Sequence, residues 1–167
     1  MNRTVIITGA TAGLGLSLAE KFVEAGDTVY GISRTKRRWI SSRKRISDSK
    51  HFLLHRADVT SEGQVKNVIA KVSKKSKKID ILINNAGYAN LPARVEDQSL
   101  AALESNLTHN LVSAFLVCKA AIPIFRKQKT GVIINISSMA GKRAVPRLSA
   151  YSASKFGIVA LSQAIAK

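Results

Sequence analysis

Cysteine is nearly absent from this 167-residue sequence, which contains one such residue. A single thiol excludes an internal disulfide and provides no cysteine cluster, so we expect neither a disulfide framework nor a metal site. Cys118 lies in an apolar pattern of helical spacing, which predicts a buried structural thiol. No apolar run approaches the length that spans a membrane. The first predicted strand begins almost at Met1, which leaves no place for a signal peptide, so we expect a soluble, cytoplasmic protein.

Acidic residues are also scarce: 10 Asp and Glu stand against 27 Lys and Arg, which gives a formal net charge of +17. This excess favours phosphates, acidic proteins, nucleic acid or anionic membranes as partners. One basic cluster surrounds Trp39 and consists of Lys36, Arg37, Arg38, Arg43, Lys44 and Arg45. A second cluster, interpreted as a solvated helix end, consists of Lys71, Lys74, Lys75, Lys77 and Lys78. Because no nucleic-acid motif is present, binding to nucleic acid or to an acidic partner is the less favoured alternative.

The sequence opens with a short apolar run and a glycine-rich turn. Residues 5–7 are Val-Ile-Ile, which is typical of a buried parallel strand, and Gly9, Gly13 and Gly15 follow. The next residues predict an amphipathic helix whose apolar face is formed by Leu14, Leu18, Phe22 and Val23. Gly26 stands where a helix commonly ends. Glycines let a backbone approach a pyrophosphate, and a helix start attracts its charge, so a phosphate site is predicted. A plain strand-to-helix turn is the alternative for this segment taken alone.

Strands and helices alternate along the rest of the chain, which predicts a single α/β domain with a parallel sheet and right-handed crossovers. Further strands are predicted at 28–33, 52–57, 79–83 and 131–136. Between them we expect a mobile or short-helical connection over 36–50, and a helix that begins with a capping box at Ser61 and Gln64. A last helix is predicted from about Tyr151 to the end.

A long helix is predicted between the fourth and fifth strands, over 98–126. Its expected buried face is formed by Leu100, Leu103, Leu107, Leu111 and Ala114. Asn110 interrupts this face. An amide in a helix interior ordinarily points at solvent or bonds to its own backbone, so its position alone gives it no role.

The end of the second strand indicates which dinucleotide the predicted site prefers. An acidic residue there binds the ribose hydroxyls of NAD, whereas a basic residue accommodates the 2′-phosphate of NADP. Here no acid is present, and Arg34, Lys36 and Arg37 follow the strand. The sequence therefore predicts NADP rather than NAD, with a merely solvated basic loop as the alternative.

Tyr151 and Lys155 are four residues apart and therefore share one face of the last predicted helix. A free tyrosine has a pKa near ~10 and is a poor base at neutral pH. A nearby ammonium stabilises the phenolate, so the pair can act as a general acid or base. This spacing is common on helix surfaces, but here Ser137 and Ser138 end the preceding strand, on the edge of the sheet where ligands bind.

Taken together, these motifs resemble the short-chain dehydrogenase/reductase family, over essentially the whole chain. The motifs stand in the family's order: Thr8-Gly-Ala-Thr-Ala-Gly-Leu-Gly15, Asp58-Val59, Asn84-Asn-Ala-Gly87, Asn110-Leu111, Asn135-Ile-Ser-Ser138 and Tyr151-Ser-Ala-Ser-Lys155. The resemblance implies a Rossmann-like, doubly wound parallel sheet with strand order 3-2-1-4-5. It also implies hydride transfer between NADP(H) and a carbonyl or secondary alcohol.

The resemblance implies a role for four residues in that reaction. Ser138, thirteen residues before Tyr151, would hydrogen-bond the substrate oxygen, and it is preferred to Ser137 on that offset. Tyr151 would exchange the proton with this oxygen. Lys155 would lower the tyrosine pKa and bind the nicotinamide ribose. Asn110 would sit at a helix kink and hold a water molecule in the proton relay.

The resemblance also implies a set of cofactor contacts. The glycines of the turn would face the pyrophosphate, Asp58 and Val59 would contact adenine, and Asn85 to Gly87 would flank the adenosine. The full predicted set is Gly9, Thr11, Gly13, Leu14, Gly15, Arg34, Asp58, Val59, Asn85, Ala86, Gly87, Tyr151 and Lys155. No residue is predicted to bind a metal. Family members commonly form dimers or tetramers through the helices after strands four and five, so a homodimer or homotetramer is expected.

The chain departs from the family pattern at its end, because Lys167 falls within the helix of Tyr151. Family members normally continue through a sixth strand, a substrate-covering loop and a seventh strand. We therefore expect an incomplete nicotinamide side and an apolar fifth strand left at the edge of the sheet. A non-catalytic, dinucleotide-binding or dimerising remnant is the main alternative to an active reductase, and the natural substrate is not predicted.

Overall fold

The computed structural model describes residues 2–46 and 50–166. Its five strands are β1 (Thr4–Thr8), β2 (Thr28–Ser33), β3 (Phe52–Arg56), β4 (Ile81–Asn84) and β5 (Val132–Asn135). Its helices are α1 (Gly13–Glu24), α2 (Trp39–Arg45), α3 (Glu62–Ser76), α4 (Leu100–Asn106), α5 (Ser113–Gln128) and α6 (Ser149–Ile165). Short 3₁₀ turns lie at Lys36–Arg38, Val95–Asp97 and Met139–Gly141, and a π-helical turn, Leu107–Val112, joins α4 to α5.

The strands form one parallel sheet in the order β3-β2-β1-β4-β5, which confirms the predicted doubly wound topology. β1 lies at the centre, where Ile6 is in register with Tyr30 of β2 and with Leu82 of β4. All five residues of β1 are buried, as expected for a strand covered on both faces. This order brings the carboxyl ends of β1, β2 and β4 together at one edge.

Helices cover both faces of this sheet. On one face, Leu16, Ala19 and Val23 of α1 pack against β1 and β2 with Ile46, just after α2. On the other face, α3 and α5 bury their apolar residues against Ile6, Tyr30, Ile32 and Leu82. The buried residues that these two helices contribute are Val65, Val68, Ile69, Val72, Val117 and Ala121. The buried thiol of Cys118 lies among the buried residues of α5, as predicted.

The predicted long helix is interrupted by the π-helical turn, and its buried face differs from the expected one. Leu100 and Leu103 are exposed, so their assignment to the core is wrong. Their place is taken by polar residues, since Asn106, Asn110 and Ser113 are buried. A π turn inserts an extra residue into the helical repeat and so rotates the face that follows. A leucine pattern read with one constant period therefore misplaces the buried side.

Leu100–Gln128 forms a continuous helical segment of 29 residues, and its apolar window has a mean hydropathy of 1.4. The sequence analysis expected no apolar run of membrane-spanning length. By length and composition alone, this segment is long and apolar enough to cross a membrane. This is weak evidence for a membrane, because residues of the segment such as Val117 and Ala121 pack against the sheet. The expected cytoplasmic location stays a prediction.

Two local expectations near helix starts are wrong. Leu14 is 54% exposed, so it does not belong to the buried face of α1. The capping box also fails, because Ser61 makes no side-chain cap and Gln64 Oε1 instead accepts the Asp58 N–H at 2.9 Å. The segment after β2 contains a 3₁₀ turn and the short helix α2, which confirms a short-helical connection over its described part. Residues 47–49 of that predicted connection lie outside the described residues.

The fifth strand is the least covered part of the sheet. β5 pairs with β4, and within the described residues its other side has no strand partner. Val132 and Ile134 are exposed, as expected of an apolar strand at a sheet edge. Side chains tie this strand to its neighbours: Asn84 Nδ2 donates to Asn135 Oδ1 at 2.8 Å, and Asn135 Nδ2 donates to Ser162 Oγ on α6 at 2.9 Å.

Candidate functional site

The glycine turn between β1 and α1 requires glycine for two different reasons. Gly9 and Gly13 have φ angles of +69° and +50°, a region that side chains strain. Gly15 has no room, because a Cβ there would overlap the carbonyl oxygen of Gly9 and the Asn85 side chain. At the helix start, Ala12 offers no side-chain acceptor, and the first turn of α1 contains no acid. The first N–H groups of α1 are therefore available to an anion.

The turn that follows β4 is fastened to this glycine turn. Thr8 Oγ1 accepts the backbone N–H groups of Asn85 and Ala86, both at 3.0 Å. Asn85 Nδ2 returns a hydrogen bond to the Thr8 carbonyl oxygen at 2.9 Å. These reciprocal bonds fix the approach of the two turns. Thr8 is a structural residue of the site that the sequence analysis did not select, because its partner lies 77 residues away.

A cleft of about 490 Å³ opens beside these turns, at the carboxyl ends of β1, β2 and β4. Seven predicted cofactor residues line it: Gly9, Thr11, Arg34, Asp58, Val59, Ala86 and Gly87. The other six predicted cofactor residues do not line it: Gly13, Leu14, Gly15, Asn85, Tyr151 and Lys155. Gly15 and Asn85 instead support the glycine turn that borders the cleft, through the contacts described above. The cleft also includes residues that the sequence analysis did not select, among them Ser33, Arg38, Tyr88, Ser105 and His109.

The basic residues of the cleft are only partly those expected after β2. Arg34 and Arg38 line it, whereas Lys36 and Arg37 do not. Arg34 directly follows β2, whereas Arg38 is the last residue of the 3₁₀ turn at Lys36–Arg38. Lys36 instead lies over the Trp39 ring, 5.7 Å from its centroid. The cleft therefore presents two guanidinium groups at its β2 side.

One carboxylate, Asp58, belongs to the same cleft. Burial raises the pKa of Asp58, but the hydrogen bonds from Thr60 and the positive charge of Arg34 outweigh it, so the pKa lies below its usual value. Thr60 provides both its backbone N–H, at 2.9 Å, and its hydroxyl, at 2.7 Å. Asp58 is therefore an ionised, fixed acceptor at neutral pH.

Tyr151 and Lys155 lie on one face of α6, with the Lys155 Nζ 5.7 Å from the centroid of the Tyr151 ring. Lys155 is only 5% exposed, and its Nζ donates to the Ile136 carbonyl oxygen at 2.9 Å. Burial lowers the pKa of the Lys155 ammonium below its usual value. The Lys155 Nζ is thus held against the tyrosine ring in a poorly solvated position.

Asn110 lies in the π-helical turn and is 2% exposed. Its Oδ1 accepts the Tyr88 N–H at 2.7 Å, and its Nδ2 donates to the Tyr88 carbonyl oxygen at 2.9 Å. The same Nδ2 donates to Ser154 Oγ at 2.8 Å, and the Ser154 hydroxyl donates to the Tyr151 carbonyl oxygen at 2.7 Å. Asn110 therefore joins the loop after β4 to the helix of Tyr151, rather than pointing at solvent.

The two serines after β5 have different environments. The Ser137 hydroxyl donates to the Lys155 carbonyl oxygen at 3.0 Å, which ties it to the backbone of α6. Ser138 begins the 3₁₀ turn at Met139–Gly141, where its Oγ accepts the Ala140 N–H at 3.2 Å. Among the described residues no acceptor is bonded to the Ser138 hydroxyl proton. Ser138 is therefore the serine whose hydroxyl can donate to a ligand.

Gly87 lines the cleft and also lies close to members of a second group of predicted site residues. This second group consists of Asn110, Ser138, Tyr151 and Lys155. A Cβ at Gly87 would lie 3.0 Å from Asn110 Oδ1 and 3.6 Å from Lys155 Nζ. The turn after β4 therefore contacts the glycine turn through Asn85 and the Tyr151–Lys155 region through Gly87. Within residues 2–46 and 50–166, no group of three or more His, Cys, Asp or Glu residues could hold a metal ion.

Comparison with known proteins identifies the family of the chain. A family model described as short chain dehydrogenase matches residues 3–167. The chain belongs to the short-chain dehydrogenase family. An oxidoreductase (BOA17) of Botryotinia fuckeliana is 35% identical over 167 residues, which are all of this chain and 60% of that protein. An NADPH-dependent pterin aldehyde reductase of Arabidopsis thaliana is 33% identical over 99% of this chain and 68% of its own length.

Among solved structures, an NAD⁺-bound xylitol dehydrogenase superimposes with a TM-score of 0.94 at 32% identity. The match covers 98% of this chain and 64% of that protein. The chain thus spans about 60–70% of the length of these relatives. Related short-chain dehydrogenases therefore use NADPH in one case and bind NAD⁺ in another, so membership of the family does not decide the cofactor.

Proposed function

We propose that this protein interconverts a carbonyl and a secondary alcohol by hydride transfer with NADP(H). The observation that supports the proposal is that Lys155, whose Nζ lies against the Tyr151 ring, is close to Gly87 in the turn that also borders the arginine-lined cleft. An acid–base pair and a dinucleotide site would then share one edge of the sheet, which is where open α/β sheets bind ligands.

The chain's own residues support a dinucleotide in this cleft. The glycine turn provides a close backbone approach, and the start of α1 provides unpaired N–H groups without a nearby acid. Arg34 and Arg38 would bind the 2′-phosphate, because guanidinium groups pair well with phosphate. Asp58 and Val59 would hold the adenine from the β3 side. When bound, the nicotinamide supplies or accepts the hydride.

Each residue of the second group has a distinct part in the proposed reaction. The Ser138 hydroxyl donates a hydrogen bond to the substrate oxygen, and Tyr151 exchanges a proton with the same oxygen. Lys155 stabilises the Tyr151 phenolate through its nearby charge and would also bind the nicotinamide ribose. Asn110 holds the Tyr88 segment and α6 together and would hold a water molecule in the proton relay.

The test is a turnover assay. The purified protein is mixed with NADPH and a panel of aldehydes and ketones, and loss of nicotinamide absorbance is followed, with the Ser138→Ala variant as control. We expect turnover with at least one carbonyl and a fall of about 10²-fold or more in the variant, as for other lost transition-state hydrogen bonds. Binding of NADPH without turnover of any substrate would contradict catalysis and leave a dinucleotide-binding protein.

We also propose that the chain self-associates through α5 and α6. Phe115 on α5 and Phe156 on α6 are large apolar side chains with exposures of 47% and 43%. Large exposed apolar side chains are typical of interfaces. Light scattering should give a dimer or tetramer mass, and a monomer mass at high concentration would contradict this assembly.

A further inference from the structure

His109 is placed at the cleft, although no sequence motif singles it out. It lies in the π-helical turn, one residue before Asn110, and lines the cleft together with Arg34 and Tyr88. Its ring centroid is 5.7 Å from that of Tyr88. The π turn positions it there, because the rotated helix face that buries Asn110 also turns the preceding residue towards β2.

The surroundings of His109 assign its neutral tautomer. Nδ1 lies 2.8 Å from the carbonyl oxygen of Ser105, and a carbonyl oxygen can only accept a hydrogen bond. Nδ1 must therefore carry the proton, and Nε2 of the neutral ring keeps a lone pair. Nε2 faces Nη1 of Arg34 at 3.4 Å, and a guanidinium can only donate. His109 therefore accepts a hydrogen bond from Arg34, one that is longer than the usual range of about 2.7–3.2 Å.

This contact spans the cleft from the helix side to the β2 side, over 75 residues of sequence. The Arg34 side chain is exposed and otherwise has many rotamers, so an anchor on one nitrogen limits where the guanidinium lies. Its backbone is also held, because Arg56 Nε donates to the Arg34 carbonyl oxygen at 3.4 Å. In the part of the chain that the structure describes, no other hydrogen bond engages the Arg34 guanidinium, so its other nitrogens can bind an anion in the cleft.

We propose that His109 is a positioning residue for cofactor choice, which holds the Arg34 guanidinium where it binds the 2′-phosphate and so increases the preference for NADPH over NADH. The proposal rests on the proposed function, because it needs a dinucleotide in the cleft. A preorganised side chain loses less conformational freedom on binding. The contact should therefore strengthen the binding of NADPH, whose 2′-phosphate Arg34 would bind, and leave the binding of NADH unchanged.

The test compares calorimetric titrations with NADPH and with NADH for the wild type and three variants. His109→Phe keeps an aromatic ring beside Tyr88 but has no acceptor, and His109→Leu is a second variant without an acceptor in case the first does not fold. His109→Gln restores an acceptor. We expect the two acceptor-free variants to weaken NADPH binding roughly fivefold, as for one lost hydrogen bond, with NADH binding changed by less than about twofold. His109→Gln should recover most of the preference.

The variant Arg34→Ala separates this inference from the proposed function. In an Arg34→Ala background, His109→Phe should have no further effect on NADPH binding, because the two residues act through one contact. Equal weakening of NADPH and NADH, or tighter NADPH binding in His109→Phe, would overturn the inference. If Arg34→Ala leaves the preference for NADPH unchanged, the inference fails while dinucleotide binding stands. If the wild type binds neither cofactor, the proposed function fails as well.

Discussion

The two halves of the ligand edge are built in different ways. Around β1 the strand is fully buried, and the glycine turn requires small residues, with the Thr8 and Asn85 side chains fastening it to the turn after β4. Around β5 the strand alternates between exposed and partly buried residues, and side-chain hydrogen bonds hold the neighbouring helix. Two of these bonds join side chains, Asn135 to Ser162 and Asn110 to Ser154. In two others, the side chains of Ser137 and Lys155 each donate to a backbone carbonyl oxygen.

Because the two halves are built differently, amino-acid substitutions should impair them in different ways. In the nucleotide half, a residue matters mainly through its size, because added atoms collide with buried backbone. In the tyrosine half, a residue matters through the hydrogen bond or charge that it supplies. Substitutions in the first half should therefore affect folding and dinucleotide binding together. Some substitutions in the second half should affect turnover alone.

The largest expected effect is that of Tyr151→Phe, which tests whether chemistry can be removed without loss of binding. The phenyl ring keeps its place over Lys155 but cannot exchange a proton, so kcat should fall by about 10²–10⁴-fold. NADPH affinity, measured by calorimetry, should change by less than about threefold. A variant with normal kcat would remove Tyr151 from the proposed mechanism.

Gly15→Ala tests the size argument in the nucleotide half. Its Cβ would overlap the Gly9 carbonyl oxygen and the Asn85 side chain, so we expect a loss of about 1–3 kcal/mol in the free energy of unfolding, together with weaker NADPH binding. Gly63→Ala is the matched control, because Gly63 is also helical and its Cβ would meet open space. Urea denaturation should show the control unchanged or stabilised by about 0.4–1 kcal/mol. Equal effects in both variants would contradict the packing explanation.

Asn110→Ala and Ser154→Ala test the hydrogen-bonded link between the Tyr88 segment and α6. Asn110→Ala leaves the Tyr88 N–H and carbonyl oxygen without their partner and should cost about 2–3 kcal/mol, whereas Ser154→Ala should cost about 1 kcal/mol. The double variant should lose less than the sum, by about 1 kcal/mol, since the two side chains bond to each other. Strict additivity in urea denaturation would show that the link contributes nothing to stability.

The smallest expected effect is the pH dependence contributed by Lys155. Burial lowers its pKa in the folded state below the unfolded value of 10.5, so the folded protein releases this proton first as pH rises. Stability attributable to Lys155 is therefore lowest at neutral pH and increases between the lowered pKa and 10.5.

The Lys155→Met variant isolates this contribution from the other lysines, which both proteins share. Urea denaturation of wild type and variant is measured from neutral pH to 10.5, and the wild type should gain stability relative to Lys155→Met across this range. A difference that stays constant or falls with pH would show that the ammonium is well solvated.

Local sequence signals predicted much of the fold. The apolar run at 5–7, the glycine turn and the regular alternation of elements gave the strands, and the predicted sheet order is confirmed. These features are short-range, because strand burial and glycine conformation depend on a few adjacent residues. The predicted Tyr151–Lys155 face is likewise set by helix geometry alone, and the structure brings the two side chains together.

What sequence patterns did not predict depends on contacts distant in the chain. Thr8 and Ser154 matter because of partners 77 and 44 residues away, and His109 faces Arg34 across 75 residues. The π-helical turn changed the helical period without a proline or glycine to mark it, so Leu100 and Leu103 were placed in the core wrongly. Such features follow from tertiary packing rather than from local propensity.

We propose that the cleft beside the glycine turn is an NADPH site that selects the 2′-phosphate with Arg34 and Arg38. Calorimetric titration of the wild type with NADPH and, separately, with NADH tests it most directly, with an Arg34→Ala/Arg38→Ala double variant alongside. We expect the wild type to bind NADPH at least about tenfold more tightly than NADH, and the double variant to lose this preference. Equal affinities in the wild type, or binding of neither cofactor, would contradict it.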